Sequence, residues 1–212
     1  QIDGLEKLRI GRQSLYDTPE YLSFDGALAI TEPDENGTSL GVYGGLPFRA
    51  YESERSEGRI AGSWIETEPW RGGRVRFDYL YLKDELAAQE ESNNFMAVSF
   101  WQTFDRWLRL RGNYSFVEGR SRDAEIAATY YNPENDITIQ ALYKELLTTQ
   151  RLLASEIDPL YETLVQYEPY RQARLIVAKG LGDHWLVEGG TEIRRLANGG
   201  DEGQYNREFE RY

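Results

Sequence analysis

The segment Leu108-Arg109-Leu110-Arg111-Gly112-Asn113-Tyr114-Ser115-Phe116 alternates strictly between two kinds of residue. The even positions carry apolar residues and a glycine, whereas the odd positions carry two arginines, an asparagine and a serine. Successive side chains of a β-strand point to opposite faces of the sheet. The segment therefore predicts a strand with one apolar face and one polar face.

The same period of two recurs along most of the chain and predicts an all-β protein. Further apolar rows are Leu22, Phe24, Leu28 and Ile30; Leu40, Val42, Leu46 and Phe48; Val75, Phe77 and Tyr79; Met96, Val98, Phe100 and Phe104; and Trp185, Val187 and Ile193. The pattern predicts strands at 6–16, 20–31, 38–51, 58–69, 73–83, 94–104, 106–118, 123–132, 136–148, 171–181 and 184–196, with a twelfth starting near Tyr205. We expect them to form one antiparallel meander within a single domain, 1–212.

The lengths of these strands favour a transmembrane β-barrel. They run over about 10 to 14 residues, whereas strands in soluble sheets most often have five or six. A tilted strand that crosses a membrane needs about 9–11 residues. Short connections at 33–37, 69–73, 105, 132–135 and 181–183 tend to alternate with longer ones at 52–58, 83–93 and 149–170. Transmembrane barrels have this asymmetry between their two rims.

The long connection at 149–170 breaks the period of two. It predicts a short helix that starts near Ser155 or Asp158, with Pro159 at its first position. Two readings remain open for this segment: a loop that folds into or over a pore, and an ordinary packed outer loop.

Composition excludes several classes of protein. The chain of 212 residues has one histidine and a net charge of −12. It has no cysteine, which excludes disulfide scaffolds, thiolate metal sites and cysteine nucleophiles. The acidic balance argues against nucleic-acid binding, which needs a basic surface. Aromatic residues make up 13% of the chain, which argues against a disordered acidic segment.

In a transmembrane barrel, each strand shows one face to lipid and the other to the lumen. We therefore expect the apolar rows to face lipid and the charged rows to line the pore, although parity alone does not distinguish inside from outside. The expected pore-lining residues are Arg9, Asp25, Arg49, Arg74, Arg76, Asp78, Arg109, Arg111, Glu125, Lys144, Arg174, Glu188, Glu192 and Arg194. A soluble lipocalin-like barrel would have the opposite arrangement.

Three runs carry a resemblance to a known class of protein. Leu8-Arg9-Ile10-Gly11-Arg12-Gln13, Phe24-Asp25-Gly26 and the stretch at 187–196 resemble strands of Gram-negative outer-membrane porin-like barrels. The resemblance implies a barrel in the bacterial outer membrane, with a polar lumen for the passage of solutes or the export of a polymer. It implies the lipid bilayer and lipopolysaccharide as surroundings.

The C-terminal pattern departs from this class. Tyr212 is aromatic, but Glu210, Glu208 and Asn206 occupy the alternate positions that are usually apolar. Eleven clear strands with a twelfth beginning suggest part of a larger barrel, because a sheet edge cannot remain open in lipid. We therefore expect further barrel strands, or a protein partner, to complete the sheet.

The sequence indicates no catalytic site, cofactor or metal centre. His184 has only carboxylates beside it as further ligands. The loop from Glu32 to Gly37 resembles a calcium loop but has Tyr43 in place of the terminal glutamate, so a hairpin turn explains it better. No nucleophile is accompanied by a base, and we expect a protein that is not an enzyme. We expect the acidic loops near Glu54 and Glu90 to be solvated; the alternative is weak binding of divalent cations that bridge lipopolysaccharide.

The strongest site hypothesis is an arginine ladder in the lumen. Arg74 and Arg76 lie on one predicted strand, and Arg109 and Arg111 lie on another, with a single strand between the two. Their charges would form a ladder that favours anionic solutes. The alternative is that these arginines pair with acidic residues in a filled lumen. At the level of function, a channel or export pore competes with a barrel that sheathes or anchors a partner protein. A third hypothesis is a soluble carbohydrate-binding module with Trp64, Trp70 and Trp101 stacking on sugars.

Overall fold

The computed structural model describes residues 4–16, 22–48, 58–86, 89–147, 169–182, 185–196 and 207–211. At 84–86, 89–91, 196 and 207–211 it describes the backbone alone. The residues 149–168 of the predicted long loop, as well as Arg49 and His184, lie outside these ranges.

The described chain consists of β-strands joined by turns. The strands are β1 (Leu5–Leu15), β2 (Leu22–Thr31), β3 (Ser39–Pro47), β4 (Arg59–Trp70), β5 (Gly73–Leu86), β6 (Gln89–Phe104), β7 (Leu108–Val117), β8 (Arg120–Asn132), β9 (Ile137–Leu146), β10 (Tyr170–Leu181), β11 (Trp185–Leu196) and β12 (Arg207–Arg211). Within the described ranges, no helix is long and apolar enough to cross a membrane.

All twelve strands belong to one sheet, in which each strand lies beside its neighbours in sequence. Every pairing is antiparallel, from β1 with β2 to β11 with β12. The prediction of an all-β antiparallel meander is therefore confirmed. Among the described residues, β1 pairs only with β2 and β12 only with β11.

The connections define two rims of the sheet. The short-turn rim carries the connections at 32–38, 71–72, 105–107, 133–136 and 182–184, and the opposite rim, here the long-loop rim, carries the others. One prediction for the long-loop rim was wrong. The connection expected at 83–93 shrinks to 87–88, because β5 and β6 extend towards each other. At the same rim, β7 reaches β8 through Glu118 and Gly119. Both of these turn residues have positive φ, as a two-residue hairpin turn requires.

The cross-strand register sorts the side chains onto two faces. The inner face carries the most deeply buried side chains, such as Phe24, Leu80 and Phe95, each at 0% exposure. The outer face carries large apolar side chains that remain exposed, such as Ile10 at 82% and Phe77 at 54%. The predicted apolar rows that contain Leu40, Phe77, Met96, Leu108 and Val187 all lie on the outer face.

One apolar row has the opposite orientation from the one expected. Leu22, Phe24, Leu28 and Ile30 lie on the inner face, and Asp25 therefore lies on the outer face, where it pairs with Arg12. The row joins a core of buried residues that spans β2–β7: Leu22, Phe24, Leu28, Tyr43, Ile60, Trp64, Leu80, Leu82, Phe95 and Val117. In this part of the sheet the inner face is apolar, because aromatic and aliphatic side chains of neighbouring strands pack against one another there.

Glycines allow close packing on the inner face of β2–β4. The ring of Trp64 covers Gly41, where an added Cβ would lie 2.1 Å from a ring atom. Gly26 faces Gly45 across β2 and β3, and a Cβ on Gly26 would lie 2.0 Å from the carbonyl oxygen of Gly44. Backbone this close leaves no room for any side chain, which is the usual reason for glycine inside a strand.

Candidate functional site

The register brings most of the predicted charged residues to one face. Starting from Trp64 opposite Asp78, successive cross-strand pairs lead along the inner face from β4 to β11. On this face lie Arg9, Arg74, Arg76, Asp78, Arg109, Arg111, Glu125, Lys144, Arg174, Glu188, Glu192 and Arg194. Arg49 lies outside the described residues, and Asp25 lies on the opposite face.

A continuous row of polar residues crosses the inner face. Eight residues, one from each of β4–β11, lie directly opposite one another in succession: Glu66, Arg76, Ser99, Asn113, Glu125, Lys144, Gln172 and Arg194. We call these eight residues the polar row. Within it, the Ser99 hydroxyl donates a hydrogen bond to Asn113 Oδ1 over 3.0 Å, and Lys144 Nζ lies 4.0 Å from a carboxylate oxygen of Glu125.

On β5, the arginines of the predicted ladder are neutralised by acids. Arg76 forms a close ion pair with Asp78, at 2.7 Å from Nη2 to the carboxylate, and its guanidinium lies 4.6 Å from the ring centre of Trp64. Arg74 lies over the ring of Trp101 at 4.0 Å and 3.6 Å from Glu66. Glu66 contacts both arginines, since Arg76 Nη1 is 4.0 Å away. This half of the ladder thus has little free positive charge.

On β7, the arginines line an open cleft. A concave region of about 270 Å³ is bordered on the inner face by Trp101, Arg109, Arg111 and Arg174, with Ala127 and Thr129 of β8 among its lining residues. Arg111 Nη2 lies 3.1 Å from Glu125 and keeps 60% of its side-chain surface exposed. Arg109 and Arg174 form no ion pair with a described residue. We call Arg109, Arg111 and Arg174, with their surroundings, the arginine cleft.

Small residues of β8 explain why a cleft opens here. Ala127 lies directly between Arg111 of β7 and Leu142 of β9, and Thr129 lies between Arg109 and Gln140. Short side chains on one strand leave space that the longer side chains of its neighbours border. Two guanidinium groups that form no ion pair with a described residue favour an anionic group beside such a space, because arginine presents a fork of donors that matches carboxylate and phosphate oxygens.

The acidic residues of β11 lie beside this region. Glu192 lies directly opposite Arg174, and Glu188 lies opposite Ala178, nearer the short-turn rim. Arg194 lies over the ring of Tyr170 at 3.9 Å. Arg9 is more distant, because its cross-strand neighbour is Leu28 of the apolar core. The predicted arginines of the described chain therefore lie in four places: the neutralised pair on β5, the arginine cleft, Arg194 over Tyr170, and Arg9 beside the apolar core.

The structure adds residues that alternation did not indicate as a site. Glu66 lies two positions after Trp64 on β4 and therefore on the same face, so its inner-face position could have been predicted from the sequence. Arg122 is 4% exposed and lies 5.5 Å from the ring centre of Phe95. The pairing of β7 with β8 shifts in register between Ser115 and Phe116, which changes the face on which the residues of β8 next to Arg122 lie. No signal in the sequence marked that shift.

The three tryptophans of the carbohydrate hypothesis do not share a surface. Trp64 and Trp101 lie beneath Arg76 and Arg74 on the inner face. Trp70 is 55% exposed near the short-turn rim, and its Nε1 donates a hydrogen bond to Gln102 of the outer face. These positions leave no flat aromatic platform among the three.

The described residues contain no group of three or more histidine, cysteine or acidic side chains that could hold a metal ion. The loop with calcium-like spacing is a hairpin turn. Its Asp34 carboxylate accepts hydrogen bonds from the backbone N–H groups of Asn36 and Thr38, each over 2.8 Å.

No family model matches the chain, and neither the curated proteins nor the solved structures include a match to it.

Proposed function

We propose that the chain forms the wall of a β-barrel in the bacterial outer membrane and serves as a channel or export pore for polar and charged solutes or a polymer. One observation carries the proposal. The outer face of the sheet exposes apolar side chains on nearly every strand, whereas charged and polar side chains occupy the opposite face of β4–β11.

This distribution is the reverse of that in a soluble sheet. A soluble protein buries its apolar face, and a contiguous exposed apolar patch marks a protein or membrane contact. In a barrel the same patch contacts lipid, and the polar face borders the lumen. Strands of 9 to 16 residues for β1–β11 match or exceed the roughly 9–11 residues needed to cross a bilayer at a tilt. Further strands beside β1 and β12 would close the sheet.

The arginine cleft supports a preference for anions. Arg109 and Arg174 form no ion pair with a described residue, although Glu192 lies opposite Arg174, and fixed guanidinium groups beside a water-filled path attract anions and repel cations. The β5 arginines contribute less because Glu66 and Asp78 balance them. The solute class that this arrangement favours is therefore small anions or acidic polymers.

Two measurements test the proposal in order. The protein, purified in a mild detergent, is first run on an SDS gel with and without boiling, and a closed barrel migrates differently in the two samples. Conductance across planar bilayers under a salt gradient then gives the ion preference. We expect a preference for anions that weakens in the variant Arg109→Gln/Arg174→Gln and persists in Arg12→Gln, which removes a charge from the outer face.

A protein that shows no gel shift and stays soluble without detergent would refute the membrane assignment. A heat-modifiable protein without conductance would refute the channel and favour the alternative, a barrel that sheathes or anchors a partner. One observation already favours that alternative. The buried core on the inner face of β2–β7 fills this part of the interior with side chains such as Phe24 and Phe95 rather than water.

A further inference from the structure

The polar row divides the inner face of the sheet into two halves of different character. On its long-loop side lie the buried aliphatic and aromatic side chains of the described strands, each at 8% exposure or less. We call these residues the apolar half: Leu22, Phe24, Leu28, Tyr43, Ile60, Trp64, Leu80, Leu82, Phe95, Ala97, Val117, Leu146 and Tyr170.

A single line of cross-strand neighbours shows how closely the apolar half is packed. The ring of Tyr43 lies directly over Gly62, where no Cβ would fit. The five side chains of the line are at most 6% exposed, and side chains packed as closely as a protein interior leave no room for water beside them. From β2 to β7 the line passes through Leu28, Tyr43, Gly62, Leu80, Phe95 and Val117.

The half of the inner face nearer the short-turn rim is polar and open. It contains the arginine cleft, whose cavity of about 270 Å³ is bordered by Trp101 and Arg109 among others. The Arg111 side chain keeps 60% of its surface exposed there. None of the aliphatic or aromatic side chains described in this half is buried. Water therefore reaches the arginine cleft from the short-turn side of the polar row.

The buried charged groups beside the apolar half form ion pairs. Arg122, at 4% exposure, lies 3.8 Å from Asp123, and Asp78 forms its close ion pair within β5. Exposed charges lie at the margins of the apolar half, such as Arg9 on β1 and Arg120 at the long-loop rim. The described interior of the apolar half thus offers a passing ion no unbalanced charge.

An ion that leaves water for apolar surroundings loses a hydration shell that apolar groups do not replace. Apolar constrictions in channels gate ion flow in this way, by excluding water. We propose that the apolar half is a hydrophobic gate, and that the arginine cleft is a vestibule open towards the short-turn rim. Ions then cross only while side chains of the apolar half are apart. This inference rests on the proposed function, because a gate requires a channel.

The gate separates two properties that a simple water-filled pore would combine. The arginine cleft determines which ions are attracted, whereas the apolar half determines for how much of the time ions pass. We therefore expect brief openings of the unaltered protein in planar bilayers, with the same preference for anions during each opening.

Cysteine accessibility tests whether water enters the apolar half. The chain contains no cysteine, so a single substitution introduces the only thiol. Ser115→Cys places it opposite Ala97, at a position that is 1% exposed, and Thr129→Cys places it in the arginine cleft. In the heat-modifiable proteins, a charged methanethiosulfonate should modify Ser115→Cys about tenfold more slowly, because a thiol in apolar surroundings is inaccessible and ionises less. After unfolding, the two variants should react equally.

Conductance tests the gate itself. Phe95→Ser exchanges a fully buried ring for a hydroxyl, and Phe77→Ser makes the same exchange on the outer face, where Phe77 is 54% exposed. We expect the fraction of time spent open to rise several-fold in Phe95→Ser and to stay unchanged in Phe77→Ser, with one ion preference in both. Phe95→Leu keeps an apolar side chain and should remain closed for most of the time.

Three results would overturn the inference. Equal modification rates for Ser115→Cys and Thr129→Cys in the folded protein would refute the gate and leave the channel in place. An unchanged open time in heat-modifiable Phe95→Ser would do the same, and the cysteine comparison decides alone if that variant loses its heat shift. Absence of conductance from the unaltered protein and every variant, with the heat shift intact, would refute the channel and the gate together.

Discussion

Arg76 holds Asp78, its neighbour two positions along β5, through three contacts of 2.7 to 3.0 Å from Nε and Nη2 to the carboxylate oxygens. Both side chains are nearly inaccessible, at 10% and 3% exposure. Trp64 lies against the guanidinium on the neighbouring strand. The pair therefore lies where the apolar core of β2–β7 meets the polar row, and it joins these two parts of the inner face.

Replacing Asp78 should destabilise the fold. Asp78→Asn removes the close counter-ion of the buried Arg76 charge and leaves only Glu66, at 4.0 Å. Breaking a buried pair typically costs about 3–5 kcal/mol. We expect the unfolding midpoint in denaturant, followed by tryptophan fluorescence in detergent micelles, to fall accordingly. Asp25→Asn is the matched control, because it breaks the exposed pair with Arg12 and should cost less than about 1 kcal/mol. Similar losses in the two variants would contradict the buried role of Asp78.

Alternation predicted the strands well, because each strand has distinct faces over its whole length. The segment Leu108–Phe116 illustrates this, since its apolar side chains lie outward and its arginines inward, as expected. The segment from Leu22 to Ile30 has equally clear alternation, yet its apolar side chains lie inward. Period two identifies two faces but not which one is inside, and that choice depends on neighbours such as Tyr43 and Trp64, which are distant in sequence.

The candidate site was predictable in its residue types but not in its charge balance. The sequence indicated Arg74, Arg76, Arg109 and Arg111 as equivalent members of a ladder. The register gives the β5 pair an acid partner in Glu66, whereas Arg109 has no ion-pair partner in the part of the chain that the structure describes. It also adds Arg174 of β10 to the cleft. Cross-strand partners depend on register, which one sequence does not reveal.

Adjacent positions on β10 distinguish the two faces directly. Leu175 lies on the outer face at 43% exposure, and Ile176 lies on the inner face opposite Gln140. In a membrane-embedded barrel, Leu175→Lys places an ammonium group in lipid and should cost about 2–4 kcal/mol near the midplane. Ile176→Lys adds the same group to a polar interior and should cost clearly less.

The comparison is made by equilibrium unfolding from vesicles of one lipid composition. A sheet that did not lie in lipid would show the opposite order or no difference, since an exposed lysine on a water-facing surface costs little. The experiment therefore tests the orientation of the sheet without relying on conductance.

The turn at Asp34 should make a pH-dependent contribution to stability. Hydrogen bonds from the backbone N–H groups of Thr38 and Asn36 hold the pKa of the Asp34 carboxyl below its ordinary value. A carboxyl whose folded pKa is depressed stabilises the fold above its unfolded pKa, near 3.9, and loses that contribution as the pH falls through the folded pKa. NMR titration of the carboxyl carbon in micelles should give a midpoint below 3.9 (the usual aspartate value). An ordinary midpoint would mean that the turn does not hold these hydrogen bonds in solution.

Removing an acid from the inner face should strengthen the preference for anions. Glu125 lies 3.1 Å from Arg111 and 4.0 Å from Lys144, so it offsets positive charge at the edge of the arginine cleft. Glu125→Gln frees both cations, and the reversal potential under a salt gradient should shift further in the direction of anion permeation. Glu145→Gln changes the net charge equally on the outer face and should leave the reversal potential unchanged. A shift of equal size in both variants would show that overall charge, rather than the cleft, sets the preference. No shift in Glu125→Gln would show that permeating ions do not pass Arg111.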